Sequence, residues 1–288
     1  MTSKFSLTCK ALLDNAVPRI AGDTPRLDAE LLLAHVSGLS RSAFRAFPER
    51  EVDARVAAEF EMLVAKRARG MPIAYLLGHQ EFWSLPLEVR TSTLIPRPDT
   101  ECLVEQALEL PLSGDARVVD LGTGTGAIAL ALASERPGWV VSACDLMEDA
   151  VTLTRTNARQ LNLPVEVFQS HWFAGLPAAT YDLIVSNPPY IATDDHHLDE
   201  GDVRFEPATA LVSGVDGLDD IRLIVSEAPA WLNEGGWLLL EHGFDQAGAV
   251  QALFVNRGFV KVESRKDYGG NDRMTLGQWP RDGARHAQ

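Results

Sequence analysis

The chain has 288 residues, 46% of them hydrophobic, with 26 Lys and Arg against 40 Asp and Glu and a formal net charge of −14. That profile excludes a wholly disordered, collagen-like or small disulfide-stapled protein, and the length suffices for one domain of ordinary size beside a smaller one. The charge is uneven: residues 1–80 carry 11 basic and 9 acidic groups, residues 81–288 carry 15 and 31, a field that repels a bare nucleic-acid backbone and either favours a basic protein partner or serves solubility alone.

Cys9, Cys102 and Cys144 are widely separated and form neither a CxxC pair nor a zinc-ligand cluster. The N-terminus has no long apolar signal-like core, and no run approaches about eighteen apolar residues, so neither secretion nor a membrane span is expected. A cytoplasmic location follows as the expectation.

Taken in chain order, Leu31, Leu32, Leu33 and Val36 give an apolar surface to a helix over Asp28 to Val36. Val52, Val56, Phe60 and Leu63 recur on one face of a second helix over Glu51 to Ala68. Residues 1–75 read as a small helical domain. Gly70, Pro72 and Gly78 break the period, and residues 76–94 read as a hairpin or linker centred on Glu81 to Val89. Asp99 or Thr100 is placed to cap a helix that starts near Glu101.

From Arg117 the pattern changes to apolar strands alternating with helices, the signature of an α/β domain. The expected strands are Val118-Val119, Val140 to Ala143, Val165 to Phe168, Leu183 to Val185, Trp237 to Glu241, Phe259 to Val262 and Met274 to Leu276, with a late hairpin that makes the sheet mixed. Residues 95–280 form this larger domain, residues 191–217 read as a long loop, beside a site or a mere surface insertion, and residues 281–288 as a frayed tail.

Two segments carry chemistry. Asp120-Leu121-Gly122-Thr123-Gly124-Thr125-Gly126 follows the first apolar strand and precedes a helix over Ala127 to Ala133, so its glycines permit close approach of a ligand. Gly122-x-Gly124-x-x-Ala127, with Asp145 downstream, satisfies a permissive dinucleotide fingerprint. The acidic residue before alternate glycines equally resembles the first motif of S-adenosylmethionine-dependent methyltransferases, which holds the amino acid end of that cofactor. Asp145 then has lone pairs for two ribose hydroxyls, while Leu146 and Met147 suit either adenine contact or helix packing.

Asn187-Pro188-Pro189-Tyr190 follows Leu183-Ile184-Val185. Two prolines stiffen the turn, the Asn187 side-chain oxygen and the Pro188 carbonyl accept hydrogen bonds, and Tyr190 offers a wall for a planar group. Such a site accepts both hydrogens of an amide or amine and aligns its nitrogen with an activated methyl carbon. It resembles the NPPY class of amino-group methyltransferases, which act on glutamine or on exocyclic amines of bases.

The order Leu94-Ile95-Pro96-Arg97-Pro98-Asp99-Thr100-Glu101, the glycine segment, Asn187 to Tyr190 and Phe205-Glu206-Pro207-Ala208 resembles the PrmC/HemK family of release factor glutamine methyltransferases through nearly the whole chain. The resemblance implies N5-methylation of the glutamine in the Gly-Gly-Gln motif of class I peptide-chain release factors, with S-adenosylmethionine becoming S-adenosylhomocysteine. It implies a helical N-terminal domain that docks the release factor and a Rossmann-like class I methyltransferase domain with a mixed seven-stranded sheet. Asp120, Leu121, Gly122, Thr123, Gly124, Thr125, Gly126, Asp145, Leu146, Trp172 and Asn187 are then expected at the cofactor, and Asn187, Pro188, Pro189 and Tyr190 at the glutamine.

Arg97 and Glu101 are expected to keep a domain junction or substrate channel in register, or else to form an ordinary surface pair. The family commonly carries an acidic residue before Trp172, and here His171 stands there. His196 and His197 lie among acidic residues without metal-ligand spacing, and no metal is expected. The rival functions are an adenine N6 methyltransferase acting on DNA or RNA, which the charge disfavours, and a non-catalytic adaptor built on the N-terminal helices.

Overall fold

The computed structural model describes residues 7–199 and 201–281; the expected fray beyond Arg281 lies outside them. Cα packing divides the chain into Met1–His79 with His197–Phe205, and Gln80–His196 with Glu206–Gln288.

The first unit is helical: α1 Cys9–Ala16, α2 Pro25–Ser37, α3 Arg41–Ala46, α4 Ala54–Ala68 and α5 Ile73–Leu77. Helix α2 starts three residues before the apolar run because Pro25, with φ already fixed and no N–H to satisfy, occupies its first turn. It ends at Gly38, whose left-handed φ of 66° lets its N–H reach the Ala34 carbonyl. Helix α4 begins at Ala54 because the Asp53 carboxylate caps it, accepting from Arg55 N at 2.8 Å. Leu13, Leu32, Leu33, Phe60 and Val64 form the core.

Two carboxylates are buried in that unit, each matched by arginine. Asp28 accepts from Arg67 Nε at 2.7 Å, and Glu30 is held by Arg26 at 3.0 Å and Arg41 at 3.2 Å. The later segment 197–205 belongs here through Asp202, 3.6 Å from Arg67, and through Arg204, which donates to the Arg69 carbonyl at 2.9 Å. Part of the expected 191–217 loop is therefore a piece of the helical unit.

The second unit follows the alternation read from the sequence. A hairpin of β1 His79–Phe82 and β2 Leu85–Glu88 turns at Trp83 and Ser84, whose φ values are 53° and 58°. Then come α6 Glu101–Glu109, β3 Arg117–Leu121, α7 Ala127–Glu135, β4 Val140–Asp145, α8 Glu148–Leu161, β5 Val165–Gln169, β6 Tyr181–Ser186, α9 Asp219–Glu227, β7 Leu232–Glu241, α10 Ala247–Arg257, β8 Val260–Lys266 and β9 Asp272–Gln278. Among the described residues they build a mixed seven-stranded sheet in the order β5-β4-β3-β6-β7-β9-β8. β5 through β7 run parallel, and β9 is antiparallel to both β7 and β8.

Central β3 and β6 are apolar on both faces because helices cover both. Helix α7 is buried from Ala127 through Ala133, which is why it is apolar all round rather than amphipathic. The carboxyl ends of β3 and β6 lie side by side, where Ser186 Oγ donates to the Leu121 carbonyl at 2.6 Å. That bond places the glycine segment and the Asn-Pro-Pro-Tyr segment next to each other. In an open parallel sheet this is the edge at which ligands bind.

Candidate active site

Gly122, Gly124 and Gly126 all adopt left-handed φ, at 69°, 57° and 88°. Gly126 has no alternative: a Cβ there would stand 2.8 Å from the Thr154 methyl carbon, at a φ that side chains resist. Over Gly124 there is open space, and that space is the cavity itself. Asp120 lies fully buried beneath the loop, accepting from Thr123 Oγ1 at 2.6 Å and from Ala129 N at 3.3 Å. Its Oδ1 has no hydrogen-bond partner among the described residues, and burial pushes its carboxyl up to about 7.

Asp145 closes β4 and accepts from Gly124 N and Met147 N, both at 2.9 Å. Those bonds lock the carboxylate against the glycine loop while leaving lone pairs directed elsewhere. Its pKa is raised because burial outweighs the backbone donors. Leu146 and Met147 are exposed beyond it and line the same cavity. Trp172 sits at a φ of 48°, its indole 3.2 Å from the place a Gly122 side chain would take. Its Nε1 donates to Asp220 Oδ1 at 3.2 Å.

Asn187 leaves β6 with its side-chain nitrogen donating to Thr100 Oγ1 at 3.2 Å. Pro188 is buried and Pro189 faces the cavity. Tyr190 donates through its hydroxyl to Glu241 Oε1 at 3.3 Å, and its pKa is raised by burial and by that carboxylate. Glu241 is itself fully buried at the end of β7, which pushes it up to about 7 against the hydrogen bonds from Thr100 and Tyr190 and the charge of Arg273. His242 beside it is buried, held between the Gly243 carbonyl and Thr275 Oγ1, both at 2.8 Å, and its pKa is lowered by burial.

Of the residues expected from the sequence, Gly122, Thr123, Gly124, Thr125, Asp145, Leu146, Trp172, Asn187, Pro189 and Arg97 line one cavity. Asp120, Leu121, Gly126, Pro188 and Tyr190 support its walls from behind. Arg97 and Glu101 do not pair with each other. Arg97 bonds Glu206, whereas Glu101 accepts from Trp83 N at 2.8 Å and so fastens the hairpin turn. His171 is exposed at the cavity rim.

Thr100, Glu206, Asp220 and Glu241 complete the site and were not singled out by the sequence. Thr100 and Glu206 lie inside segments that were, so position within those segments was the available signal. Asp220, one of two acids opening α9, and Glu241, last in an apolar strand, carried no local mark.

The cavity is edged by carboxylates: Asp145 and Asp220 line it and Asp120 lies beneath. This field opposes a pyrophosphate and favours a cationic ligand rich in donors, which argues against the dinucleotide alternative. The ammonium and sulfonium groups of S-adenosylmethionine, its ribose hydroxyls and its apolar adenine faces match the loop, Asp145, and the Leu146 and Trp172 surfaces respectively. Among the described residues, no helix is long and apolar enough to cross a membrane.

Two family models match the chain: the PrmC N-terminal domain over residues 12–78 and the methyltransferase small domain over residues 98–211. The release factor glutamine methyltransferase of Pseudomonas aeruginosa is 56% identical over 274 residues, covering 94% of this chain and 98% of that one. The protein of the same name from Escherichia coli is 50% identical over 260 residues, covering 90% and 94%. Among solved structures, a methyltransferase from Pyrococcus furiosus superposes with a TM-score of 0.52 at 19% identity, covering 68% of this chain and 89% of that one. The hMettl16 catalytic domain in complex with MAT2A 3'UTR hairpin 6 does so with a TM-score of 0.55 at 19% identity, covering 76% and 81%. These two likenesses concern the fold.

Proposed function

The chain belongs to the release factor glutamine methyltransferase family, an S-adenosylmethionine-dependent enzyme, and from that premise we propose how its residues act. The acceptor is the side-chain nitrogen of the glutamine in the Gly-Gly-Gln motif of class I peptide-chain release factors. Bound S-adenosylmethionine supplies the activated methyl group. The chain's own task is to bind, orient and exclude water.

One observation carries this reading. The Asn187 nitrogen is tied back to Thr100, so the Asn187 oxygen is the group left to meet a substrate at the cavity wall. That oxygen and the Pro188 carbonyl accept the two amide hydrogens of glutamine and draw its nitrogen lone pair out of conjugation, toward the methyl carbon. Pro189 shapes the slot and Tyr190 forms its base. No side chain at the site is required as a general base, because the proton leaves after the nitrogen has been alkylated.

Asp145 receives the ribose hydroxyls, Leu146 and Trp172 flank adenine, and the Asp120 to Gly126 loop takes the amino acid end. Asp220, rather than His171, offers the acidic group beside the indole. The acidic excess of residues 81–288 complements a basic release-factor domain, and the helical unit is its docking module. We place the activity in the cytoplasm, where three buried free cysteines stay reduced.

The test is to incubate the full chain with methyl-labelled S-adenosylmethionine and either release factor or nucleic acid, and to map the label by mass spectrometry. Label on the Gly-Gly-Gln glutamine nitrogen supports the proposal. Label on a base alone replaces it with the nucleic-acid alternative.

A further inference from the structure

Behind Asn187 and Tyr190 lies a buried carboxylate to which the reaction as described gives no role. Glu241 is 2% exposed, comes from β7, and is hydrogen-bonded by two hydroxyls, those of Tyr190 and Thr100. Thr100, itself 4% exposed, is also the acceptor for the Asn187 side-chain nitrogen at 3.2 Å. The three side chains form a line from the back of the sheet to the cavity: Glu241, Thr100, Asn187.

The direction of that line follows from what each group can do. An ionised carboxylate only accepts, so it obliges the Thr100 hydroxyl to donate toward it. Thr100 then has only lone pairs to offer Asn187, and Asn187 must present its NH2 there. Its oxygen is thereby turned to the cavity. The opposite flip of the amide would set two acceptors against each other at Thr100 and would present a donor to the donor NH2 of the substrate.

We propose that Glu241 is a positioning residue that fixes the amide orientation of Asn187 through the Thr100 hydroxyl and the placement of Tyr190 through its own oxygen. The inference rests on the reading of Asn187 as the acceptor of the glutamine amide. It adds a polarity to that contact, set 54 residues away along the chain, that neither glycine nor proline motifs supply.

Protonated Glu241 is able to donate instead, which releases Thr100 to bond the Asn187 oxygen and loosens the orientation. The groups that face Glu241 are Thr100 and Asp99 at the start of α6, Tyr190 after β6, and Arg273 on β9; Arg273 also bonds Tyr190 and is held by Asp267 at 3.0 Å. His242 adjoins it in sequence, with both ring nitrogens engaged elsewhere.

The test uses the full chain as wild type, Thr100→Val, Thr100→Ser and Glu241→Gln. Side-chain amide resonances of Asn187 and the carboxyl resonance of Glu241 are followed by NMR from pH 5.5 to about 8.5, within the range a buried carboxyl titrates. Rates with release factor and affinity for S-adenosylmethionine are measured alongside. The Asn187 amide is expected to shift with the same midpoint as Glu241 in wild type, and to lose that response in Thr100→Val and Glu241→Gln. Thr100→Val is expected to lower kcat on the order of tenfold, the worth of one lost orienting hydrogen bond, with cofactor affinity kept, and Thr100→Ser to recover most of the rate.

Asn187 resonances indifferent to Glu241 titration, or Thr100→Val turning over at the wild-type rate, overturn the proposal. A wild-type enzyme that binds cofactor and leaves release factor unmethylated refutes the substrate reading, and the NMR comparison then decides the relay by itself.

Discussion

Arg97 and Glu206 form an ion pair across 109 residues of sequence, and the same carboxylate accepts from Ile95 N at 2.9 Å. Glu206 thus uses one oxygen for backbone and one for guanidinium, while its side chain is wholly buried. The pair pins the segment that carries Thr100 against the segment that begins at Glu206, and Arg97 itself lines the cavity. Removing one partner of a fully buried pair costs about 3–5 kcal/mol, but Arg97 is about a third exposed and water relieves part of this. Arg97→Met is therefore expected to lower stability by roughly 1–3 kcal/mol and to weaken cofactor binding. Urea unfolding and calorimetric titration with S-adenosylmethionine check both, and unchanged values in the two assays would remove the pair from the site's architecture.

Asn157 on α8 is a second fastening. It is buried, donates to the Thr125 and Glu88 carbonyls at 2.8 and 3.0 Å, and accepts from Glu88 N at 2.8 Å. One side chain thereby joins the glycine loop to the β2 strand, with all three bonds out of water. Asn157→Leu leaves three backbone groups without partners, an expected loss of about 3 kcal/mol at roughly 1 kcal/mol or more each. Asn157→Asp keeps the acceptor and places a charge between two carbonyls, so it is expected to be at least as harmful. Denaturation midpoints order the two variants.

The parts of the site readable in the sequence are those in which the backbone itself is constrained. Alternate glycines and paired prolines mark their positions locally, and the strands that deliver them are continuous apolar runs. Thr100, Asp220 and Glu241 are ordinary residues made functional by tertiary approach, Glu241 arriving from a strand 51 residues beyond Tyr190. Fold boundaries failed for related reasons. Strand β7 begins at Leu232, five residues before the expected Trp237, because Asn233, Glu234, Gly235 and Gly236 hide its alternation and its pairing with β6 shifts register there. Strand β8 runs on to Lys266 at the sheet edge, where an exposed face lets charged residues replace the apolar pattern. Helices α9 and α10 carry too few consecutive apolar residues to announce themselves.

Two glycines four bonds of reasoning apart in kind, Gly124 and Gly126, separate cofactor fit from folding. Ala at Gly126 meets Thr154 at 2.8 Å and Leu130 at 3.0 Å, so Gly126→Ala is expected to lose stability by about 2 kcal/mol or more from strain and overlap together. Gly124→Ala meets nothing within 4 Å and bears only the left-handed φ, about 1 kcal/mol. Its methyl group enters the cavity, so cofactor affinity is expected to fall more than stability does. Paired thermal melts and cofactor titrations distinguish the two, and a Gly124→Ala protein with wild-type affinity would move the cofactor away from this loop.

The buried carboxylates give stability a pH dependence whose sign is fixed. Asp120 rises from an ordinary 3.8 to about 7 on folding, and Glu241 from 4.5 to about 7, both because burial disfavours the charge. Where the folded pKa exceeds the unfolded one, the stabilising share is complete below the unfolded value and is lost as pH rises through the folded value. For Asp120 the full span is on the order of 4 kcal/mol at about 1.4 kcal/mol per unit. Asp267 and Glu30, whose pKa values are lowered by arginine partners, act in the opposite sense and lose their contribution as pH falls through their folded values. Those groups are common to wild type and variant, so the comparison isolates Asp120. Asp120→Asn is expected to shrink the decline in unfolding free energy between pH 5 and pH 8, because a neutral amide has no proton to lose. Urea unfolding of both proteins across that interval provides the measurement. Equal declines in the two would mean that Asp120 is ionised in the folded protein throughout, with its unpartnered oxygen compensated by a donor that the hydrogen bonds from Thr123 and Ala129 do not supply.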